Sequence, residues 1–186
     1  MIRNITVSGR IASGTTTLAK GIAESIGWEL LEGGELFEQY FNAEKGSDAD
    51  RDDAIDLGYE KMVSERLKNN SRQIIQSHLA GFDAQGIEGV FKILVICEDK
   101  HGTDHPDIRI DRLVNRKGVT VEEAKKEVKE REEKNLEKWR RLYAENDSTW
   151  VYWDKKYYDL VINTYSLNQK EAIEKALYAL SKVPLA

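Results

Sequence analysis

The sequence of 186 residues contains one cysteine, Cys97, and only two prolines. A single thiol excludes an internal disulfide framework and a zinc site built from cysteines. No apolar run is long enough to span a bilayer, because charged or polar residues interrupt each candidate. The first residues also lack the apolar stretch and cleavage site of a secretory signal. We therefore expect a cytoplasmic protein with no membrane partner.

Basic residues are also fewer than acidic ones. The chain has 28 Lys and Arg against 33 Asp and Glu, a formal net charge of −5 at pH 7. Because a nucleic acid polymer requires a basic surface, this balance argues against such a partner. Hydrophobic residues make up 40% and charged residues 33% of the chain, an ordinary globular composition. At this length we expect a single domain, 1–186, with a substantial core.

Segments that predict strands alternate with segments that predict helices along the whole chain. The expected strands are 2–8, 28–31, 72–77, 91–97 and 158–163, and the expected helices are 15–26, 35–42, 54–67, 106–115, 119–145 and 167–182. The run FKILVIC at 91–97 is typical of a parallel strand covered on both faces. The pattern predicts an α/β fold, with a five-stranded parallel sheet between helical layers. The polar stretch 43–53 predicts a mobile connection.

The segment between the first strand and the first helix has the glycine spacing of a Walker A loop. It consists of Gly9, Arg10, Ile11, Ala12, Ser13, Gly14, Thr15, Thr16 and Thr17. Glycines let the backbone wrap closely around a phosphate, and free amides at a helix start attract its charge. Thr16 stands where the hydroxyl reaches magnesium, whereas Thr15 occupies the position of the usual lysine. A ligand-free turn is the alternative, but the context and the three hydroxyls favour nucleotide binding.

Several blocks of the sequence resemble the cytidylate kinases, especially their short archaeal-type members. The blocks are ITVSGRIASGTTTLAKGIAESIG, GGELF, HLAGF, IRIDRLVNRKGVTVEEAKKEVKEREEKNLEKWRRLY and YDLVINT, which together cover nearly the whole chain. The resemblance implies a P-loop NTPase fold of three α/β/α layers, with an acceptor segment at about 33–70 and a helical lid at about 116–145. It also implies transfer of the γ-phosphoryl group of ATP, with Mg²⁺, to CMP or dCMP. We expect a nucleotide and a small-molecule acceptor as partners, and a monomer or a weak homodimer.

The resemblance assigns catalytic roles to Arg116, Arg131 and Thr15. The family's Arg-Asp-x-x-Asp-Arg pattern falls on residues 131–136, where Arg131 is kept and Leu136 replaces the second arginine. Lys138, Arg140 and Arg141 lie nearby and are candidates to replace the missing charge. Arg116 is the best candidate to contact ATP. Arg109 and Arg112, on the same helix, fit a solvated face equally well.

The acceptor side departs further from the family. Glu38 stands where the block ending in Ile-Phe-Arg has its arginine, and His78 replaces the arginine of the Glu-Gly-Arg-Leu-Ala-Gly block. With Glu35 and Gly81 they form the expected substrate-binding set. Because neither residue makes the bidentate contacts of an arginine, two alternatives stay open. One is a kinase with a less anionic acceptor, and the other is a nucleotide-binding regulator without activity. Arginines at 51, 66 or 72 are candidates to restore the charge.

Two further groups of residues suggest binding sites. The loop at 98–107 contains His101 and His105 with several aspartates, but a polar connection explains it better than a metal site. Aromatic residues are concentrated between 139 and 158, where packing of the long helix is favoured over base stacking.

Overall fold

The computed structural model describes residues 1–41 and 48–186. The expected end of the second helix at residue 42, and residues 43–47 of the polar connection, lie outside this part. Five strands form one parallel sheet: β1 (Asn4–Gly9), β2 (Glu29–Glu32), β3 (Gln73–Gln76), β4 (Val90–Ile96) and β5 (Leu160–Asn163). Their order is β2-β3-β1-β4-β5, so β1 lies at the centre of the sheet, and all six of its residues are buried.

Eight α-helices accompany the sheet in the described residues. They are α1 (Thr15–Ile26), α2 (Gly33–Phe41), α3 (Asp53–Asn69), α4 (Ala80–Asp83), α5 (Pro106–Lys117), α6 (Val121–Lys125), α7 (Glu132–Tyr143) and α8 (Gln169–Leu180). The sequence did not predict α4, because four residues are too few to show a helical period. Within the described ranges, no helix is both long enough and apolar enough to cross a membrane.

The helices cover both faces of the sheet. On one face, Leu18 and Ile22 of α1 pack with Ala176 of α8 against residues that include Ile74. On the other face, residues of α3 such as Val63 pack in a cluster with the next strand residue, Ile75. Successive residues of a strand point to opposite faces, so β3 contributes to both cores. The three-layer α/β/α prediction is therefore confirmed.

The long charged segment expected as one helix at 119–145 is divided. Thr120 starts it with a capping box closed by Glu123, but a π-helical stretch at Lys126–Arg131 separates α6 from α7. The buried positions continue through the break: Ala124, Val128 and Glu132 are 0%, 0% and 6% exposed. A carboxylate thus continues an apolar face, which requires partners from elsewhere in the fold. π-helical turns of this kind occur often at functional sites.

Candidate nucleotide-binding and phosphoryl-transfer site

The loop from Gly9 to Gly14 joins the central strand to α1, and its two glycines are needed for different reasons. A Cβ on Gly9 would lie 2.4 Å from the carbonyl oxygen of Val95 and 2.7 Å from the hydroxyl of Ser13. Gly14 has room for a Cβ, with its nearest neighbour, Thr164, at 3.7 Å, but its φ of +110° favours glycine. Ala12 also has a positive φ, 60°. The loop is therefore held in an unusual conformation by close packing on one side.

Gln76, the last residue of β3, lies beside the start of α1. Its amide nitrogen donates to Thr15 Oγ1 at 3.3 Å, and its amide oxygen accepts from Thr16 Oγ1 at 3.4 Å. A carboxamide can do both because it carries a donor and an acceptor. Gln76 is not among the site residues predicted from the sequence. Its proximity to the loop follows from β3 pairing directly with β1.

A cavity of about 480 Å³ lies over the loop and extends between α3 and the residues around the π-helical stretch. Among the expected site residues, it is lined by Arg10, Ile11, Ala12, Gly14, Thr15, Thr16, His78, Arg116 and Arg131. The exposed side chains of Glu35 and Glu38 on α2 do not line it. Gly81 does not line it either: its amide donates to Ser8 Oγ at 2.9 Å, and a Cβ there would lie 2.2 Å from the Tyr158 ring.

His78 is half-buried in the cavity wall. Its Nδ1 donates to the carbonyl oxygen of Gly9 at 3.0 Å, and its ring lies 5.9 Å from that of Trp139 and 6.0 Å from that of Tyr152. The histidine thus supports the base of the loop while facing the cavity. Of the arginines considered as replacements, Arg51 lines this cavity, whereas Arg66 and Arg72 do not.

The buried Glu132 connects the lid segment to the phosphate loop. Arg10 Nε donates to Glu132 Oε1 at 2.9 Å and Arg109 Nη1 to Oε2 at 3.0 Å, while both arginines also pair with Asp104. The backbone of Ile11 in the loop also contacts this cluster. The Ile11 amide donates to Glu132 at 3.3 Å, and the Ile11 carbonyl accepts from Arg109 at 2.8 Å. Burial opposes ionisation, but these contacts hold the pKa of Glu132 below its usual value. Arg109, only 1% exposed, is therefore not part of a solvated face.

The three candidates to replace the missing lid arginine are all engaged elsewhere. Lys138 forms an ion pair of 2.6 Å with Asp56 of α3, Arg141 pairs with Asp53, and Arg140 donates to the Trp150 carbonyl at 2.9 Å. None of the three lines the larger cavity. They fasten α7 to α3 and to the loop that follows α7. Leu136 itself packs in the aromatic cluster around Trp139, Trp150 and Tyr152, as the packing interpretation of these residues expected.

A second cavity, of about 380 Å³, lies on the other side of the phosphate loop. It is lined by the loop and α1, by α5 and by the segment after β5: Ala12, Ser13, Gly14, Thr17, Leu18, Arg112, Asn115, Arg116, Thr164, Leu167, Asn168, Gln169 and Ala172. Arg112 is fixed by Thr164, whose carbonyl and hydroxyl accept at 2.6 and 2.8 Å. Ala12, Gly14 and Arg116 line both cavities. The two spaces therefore meet at the phosphate loop and Arg116.

The chain is similar in sequence to known cytidylate kinases. A cytidylate kinase from Methanosarcina mazei is 33% identical over 178 residues, which cover 91% of this chain and 92% of that protein. The chain belongs to the cytidylate kinase family. A second member, from Methanosarcina barkeri, is 30% identical over 177 residues, with coverages of 91% and 92%. No protein-family model matches the sequence. The chain is a P-loop kinase of the nucleoside monophosphate kinase type.

Solved structures show the same fold as this cytidylate kinase family member. An uncharacterized protein from Eubacterium ventriosum has a TM-score of 0.67 and 17% identity, with 98% of this chain and 100% of that chain covered. A shikimate kinase from Bacteroides thetaiotaomicron has a TM-score of 0.66 and 16% identity, with coverages of 97% and 99%. At such low identity these likenesses concern the fold alone.

The loop with several histidines and aspartates is a structural connection. Asp99 accepts hydrogen bonds from the amides of His101 and Thr103 at 2.8 and 3.0 Å, and Asp104 is held by Arg109. Across residues 1–41 and 48–186, no group of three or more His, Cys, Asp or Glu side chains is placed to hold a metal ion. The polar-connection interpretation of this loop agrees with these contacts.

Proposed function

We propose that the chain transfers the γ-phosphoryl group of ATP to a nucleoside monophosphate, most specifically CMP or dCMP. The observation that carries the proposal is the meeting of two cavities at the phosphate loop and Arg116. In-line phosphoryl transfer requires donor and acceptor to approach the moving group from opposite sides. One cavity on each side of a phosphate-binding loop supplies that geometry. Membership of the cytidylate kinase family supports the choice of acceptor.

The smaller cavity is the proposed donor site. Its walls combine apolar side chains, such as Leu18 and Leu167, with the polar Asn115 and Gln169, which suits a base and a ribose. The amides of Ala12 to Thr16 would bind the β-phosphate at the start of α1. Thr15 supplies a hydroxyl in place of the usual cation. Positive charge at this point then depends on side chains from outside the loop.

Magnesium fits the oxygens present beside the loop. Thr16 Oγ1 and Gln76 Oε1 are neutral oxygens 3.4 Å apart, and Mg²⁺ in such sites binds mainly phosphate oxygens and water. Thr16 is the proposed direct ligand, with Gln76 beside it. The ion would neutralise charge on the β- and γ-phosphates.

The larger cavity is the proposed acceptor site, within the acceptor segment at about 33–70 and the lid at about 116–145. Its basic lining residues are Arg51, Arg116, Lys117 and Arg131, and its acidic ones are Glu32, Asp56, Glu60 and Glu127. Glu127 pairs with both Lys117 and Arg131. Arg116 forms no ion pair with any described residue, so its guanidinium is available to phosphates. Because Glu38 is exposed and outside the cavity wall, its negative charge does not face the acceptor. These placements support compensation for the family arginines that are missing.

Phosphorylation assays with ATP, Mg²⁺ and a panel of nucleoside monophosphates test the proposal. We expect CMP and dCMP to be the best acceptors, at rates of roughly 1–100 per second. Arg116→Ala should reduce kcat/KM by about ten- to a hundredfold, since a hydrogen bond to a charged group contributes about 1.5–3 kcal/mol. Lys175→Ala, at an exposed position on α8, is the control. Absence of turnover with every monophosphate, despite measurable ATP binding, would contradict the proposal.

Two alternatives each have an observation in their favour. A less anionic acceptor is favoured by His78, which lines the cavity where the family has an arginine. A nucleotide-binding regulator without activity is favoured by Thr15, which gives the loop no cation of its own. Adding small alcohols to the acceptor panel separates the first from the monophosphate kinase. ATP binding without turnover on any acceptor would indicate the second.

A further inference from the structure

Carboxyl groups form part of the wall that α3 contributes to the larger cavity. Glu60 of α3 lines the cavity, and Asp83, at the end of α4, lies within hydrogen-bonding reach of it. One oxygen of each side chain, Glu60 Oε2 and Asp83 Oδ2, is fully buried, and neither accepts a hydrogen bond from any described group. A buried, unpaired carboxylate is costly, so this pair requires an explanation beyond packing.

A shared proton explains the pair. Burial raises the pKa of Asp83 to about 7, and burial together with the neighbouring Asp83 raises the pKa of Glu60 well above its usual value. One proton, carried by Glu60 and donated to Asp83, satisfies the facing oxygens and leaves a single negative charge on the pair. The pair then acts as an acceptor of hydrogen bonds on the side of Glu60 that faces the cavity.

The cations nearest to this wall already have partners. Asp56, one helical turn before Glu60, holds Lys138 at 2.6 Å, and the guanidinium of Arg51 stacks over the Phe37 ring at 3.6 Å. The Tyr59 hydroxyl donates to the Gly33 carbonyl at 3.1 Å and is not directed to Glu60. Among residues 1–41 and 48–186, no cation forms an ion pair with Glu60, and Arg51 acts on it only through its charge at longer range. A donor from the bound acceptor molecule would complete the cavity-facing side of Glu60.

We propose that Glu60, held by Asp83, is a specificity-determining residue that accepts a hydrogen bond from an amino group on the acceptor's base. This inference rests on the proposed function, because it concerns the acceptor bound in the larger cavity. Cytosine and uracil have the same ring size, and cytosine carries an amino group where uracil carries a carbonyl oxygen. The Glu60 oxygen that carries no proton accepts a hydrogen bond from the first and repels the second. Glu60 therefore selects an aminopyrimidine monophosphate against its keto counterpart.

The direct test replaces the carboxylate with an amide of the same shape. In the full chain, Glu60→Gln should reduce the ratio of kcat/KM for CMP over UMP by about ten- to a hundredfold, because an amide nitrogen can donate to the uracil carbonyl. Glu24→Gln, the same change at an exposed position on α1, should leave the ratio unchanged. A merely structural role for Glu60 would lower turnover of both acceptors equally and leave the ratio intact, which would overturn the proposal.

A second variant tests which of the two carboxyl groups selects the base. In Asp83→Asn the new amide can donate to Glu60 permanently, so Glu60 stays an acceptor and the preference for CMP should persist within about threefold. Loss of the preference in Asp83→Asn, together with its retention in Glu60→Gln, would assign the selection to Asp83 and overturn the proposal.

Binding measurements distinguish a failure of this inference from a failure of the proposed function. Calorimetric titration of CMP and UMP into the unmodified protein and into Glu60→Gln needs no turnover. Equal affinity of the unmodified protein for CMP and UMP, with normal phosphorylation of both, overturns the inference and leaves the kinase function in place. A CMP preference in binding that Glu60→Gln removes, without any phosphoryl transfer, supports the inference and overturns the proposed function. Binding of neither nucleotide overturns both.

Discussion

The donor side and the acceptor side of the phosphate loop are assembled in different ways. The loop is one contiguous segment, 9–17, whose backbone forms the phosphate cradle at the start of α1. The larger cavity draws its side chains from α3, the end of β3, α5 and the π-helical stretch. A contiguous cradle is visible as a motif, whereas a cavity assembled from distant segments is not. The difference explains why departures from a family motif are a poor measure of the charge in a site.

The two sides also differ in how charge is handled. Next to the loop, Thr15, Thr16 and Gln76 are neutral, and each threonine is hydrogen-bonded to Gln76. Around the larger cavity, ionised groups are paired across elements, as in Lys117 with Glu127 and Lys138 with Asp56. Pairs of this kind can be broken one partner at a time, so variants can test the comparison.

The largest expected effect is on the buried connection between the lid and the loop. Glu132→Ala leaves Arg10 and Arg109 with only Asp104 as a shared carboxylate, and removing one partner of a buried ion pair costs about 3–5 kcal/mol. Urea unfolding measures the loss. Glu133→Ala, the exposed neighbour, should change the free energy of unfolding by less than about 0.5 kcal/mol. Equal effects of the two variants would show that the buried cluster does not stabilise the fold.

A smaller effect is expected from filling the space at the base of the loop. Gly9→Ala places a Cβ 2.4 Å from the Val95 carbonyl oxygen, and such overpacking costs about 1–3 kcal/mol. ATP affinity should fall with it, because the loop must move away from β4. Gly27→Ala is a useful comparison, since no atom lies within 4 Å of the added Cβ and only its φ of 69° opposes the change. If Gly9→Ala binds ATP normally, the loop does not need its close contact with β4.

The contributions of Glu132 and of Asp83 to the stability of the fold should change in opposite directions with pH. The pKa of Glu132 is lowered on folding, so its contribution is present at neutral pH and is lost as the pH falls through that lowered value. The pKa of Asp83 is raised to about 7, so stability associated with it is present at acid pH and is lost as the pH rises through about 7.

Raising the pH from about 6 to about 8 should therefore lower the free energy of unfolding by about 1 kcal/mol, because the Glu60–Asp83 pair ionises in this range. Other groups facing Glu60 are Asp56, Arg51 and Tyr143, of which Tyr143 has a pKa raised by burial and does not titrate in this window. Denaturant midpoints across the range measure the effect. In Asp83→Asn, where the side chain at position 83 cannot titrate, the denaturant midpoint should depend less on pH. An unchanged dependence on pH in that variant would place the titration elsewhere.

The smallest expected effect concerns the hydroxyl proposed to bind Mg²⁺. Thr16→Ala should weaken ATP binding in the presence of Mg²⁺ by roughly two- to tenfold, the worth of one neutral hydrogen bond or ligand contact. Binding with the ion chelated should hardly change. Ser166→Ala, an exposed hydroxyl after β5, is the control. Equal losses with and without Mg²⁺ would assign Thr16 to loop structure through Gln76.

The fold could be predicted from the sequence to within a few residues at most element ends. Apolar runs such as the one in β4 indicate buried parallel strands, and Gly27 ends α1 as expected from its left-handed conformation. The short α4 and the π-helical stretch were missed. Four residues show no period, and Glu132, next to the π-helical stretch, is buried against arginines that are distant in sequence.

The sequence by itself determined the phosphate loop, because glycine spacing, hydroxyls and the strand–helix junction are local properties of neighbouring residues. It also determined the layered fold, since periodic burial follows from the side chains of each element. Tertiary structure alone decided which charged residues face the cavity and which are paired away from it. Arg109 and Arg116 lie on one helix, yet the first is buried against Glu132 and the second lines both cavities. The environment of each arginine depends on the strand order and on contacts between remote segments, so it cannot be predicted from the residue type alone.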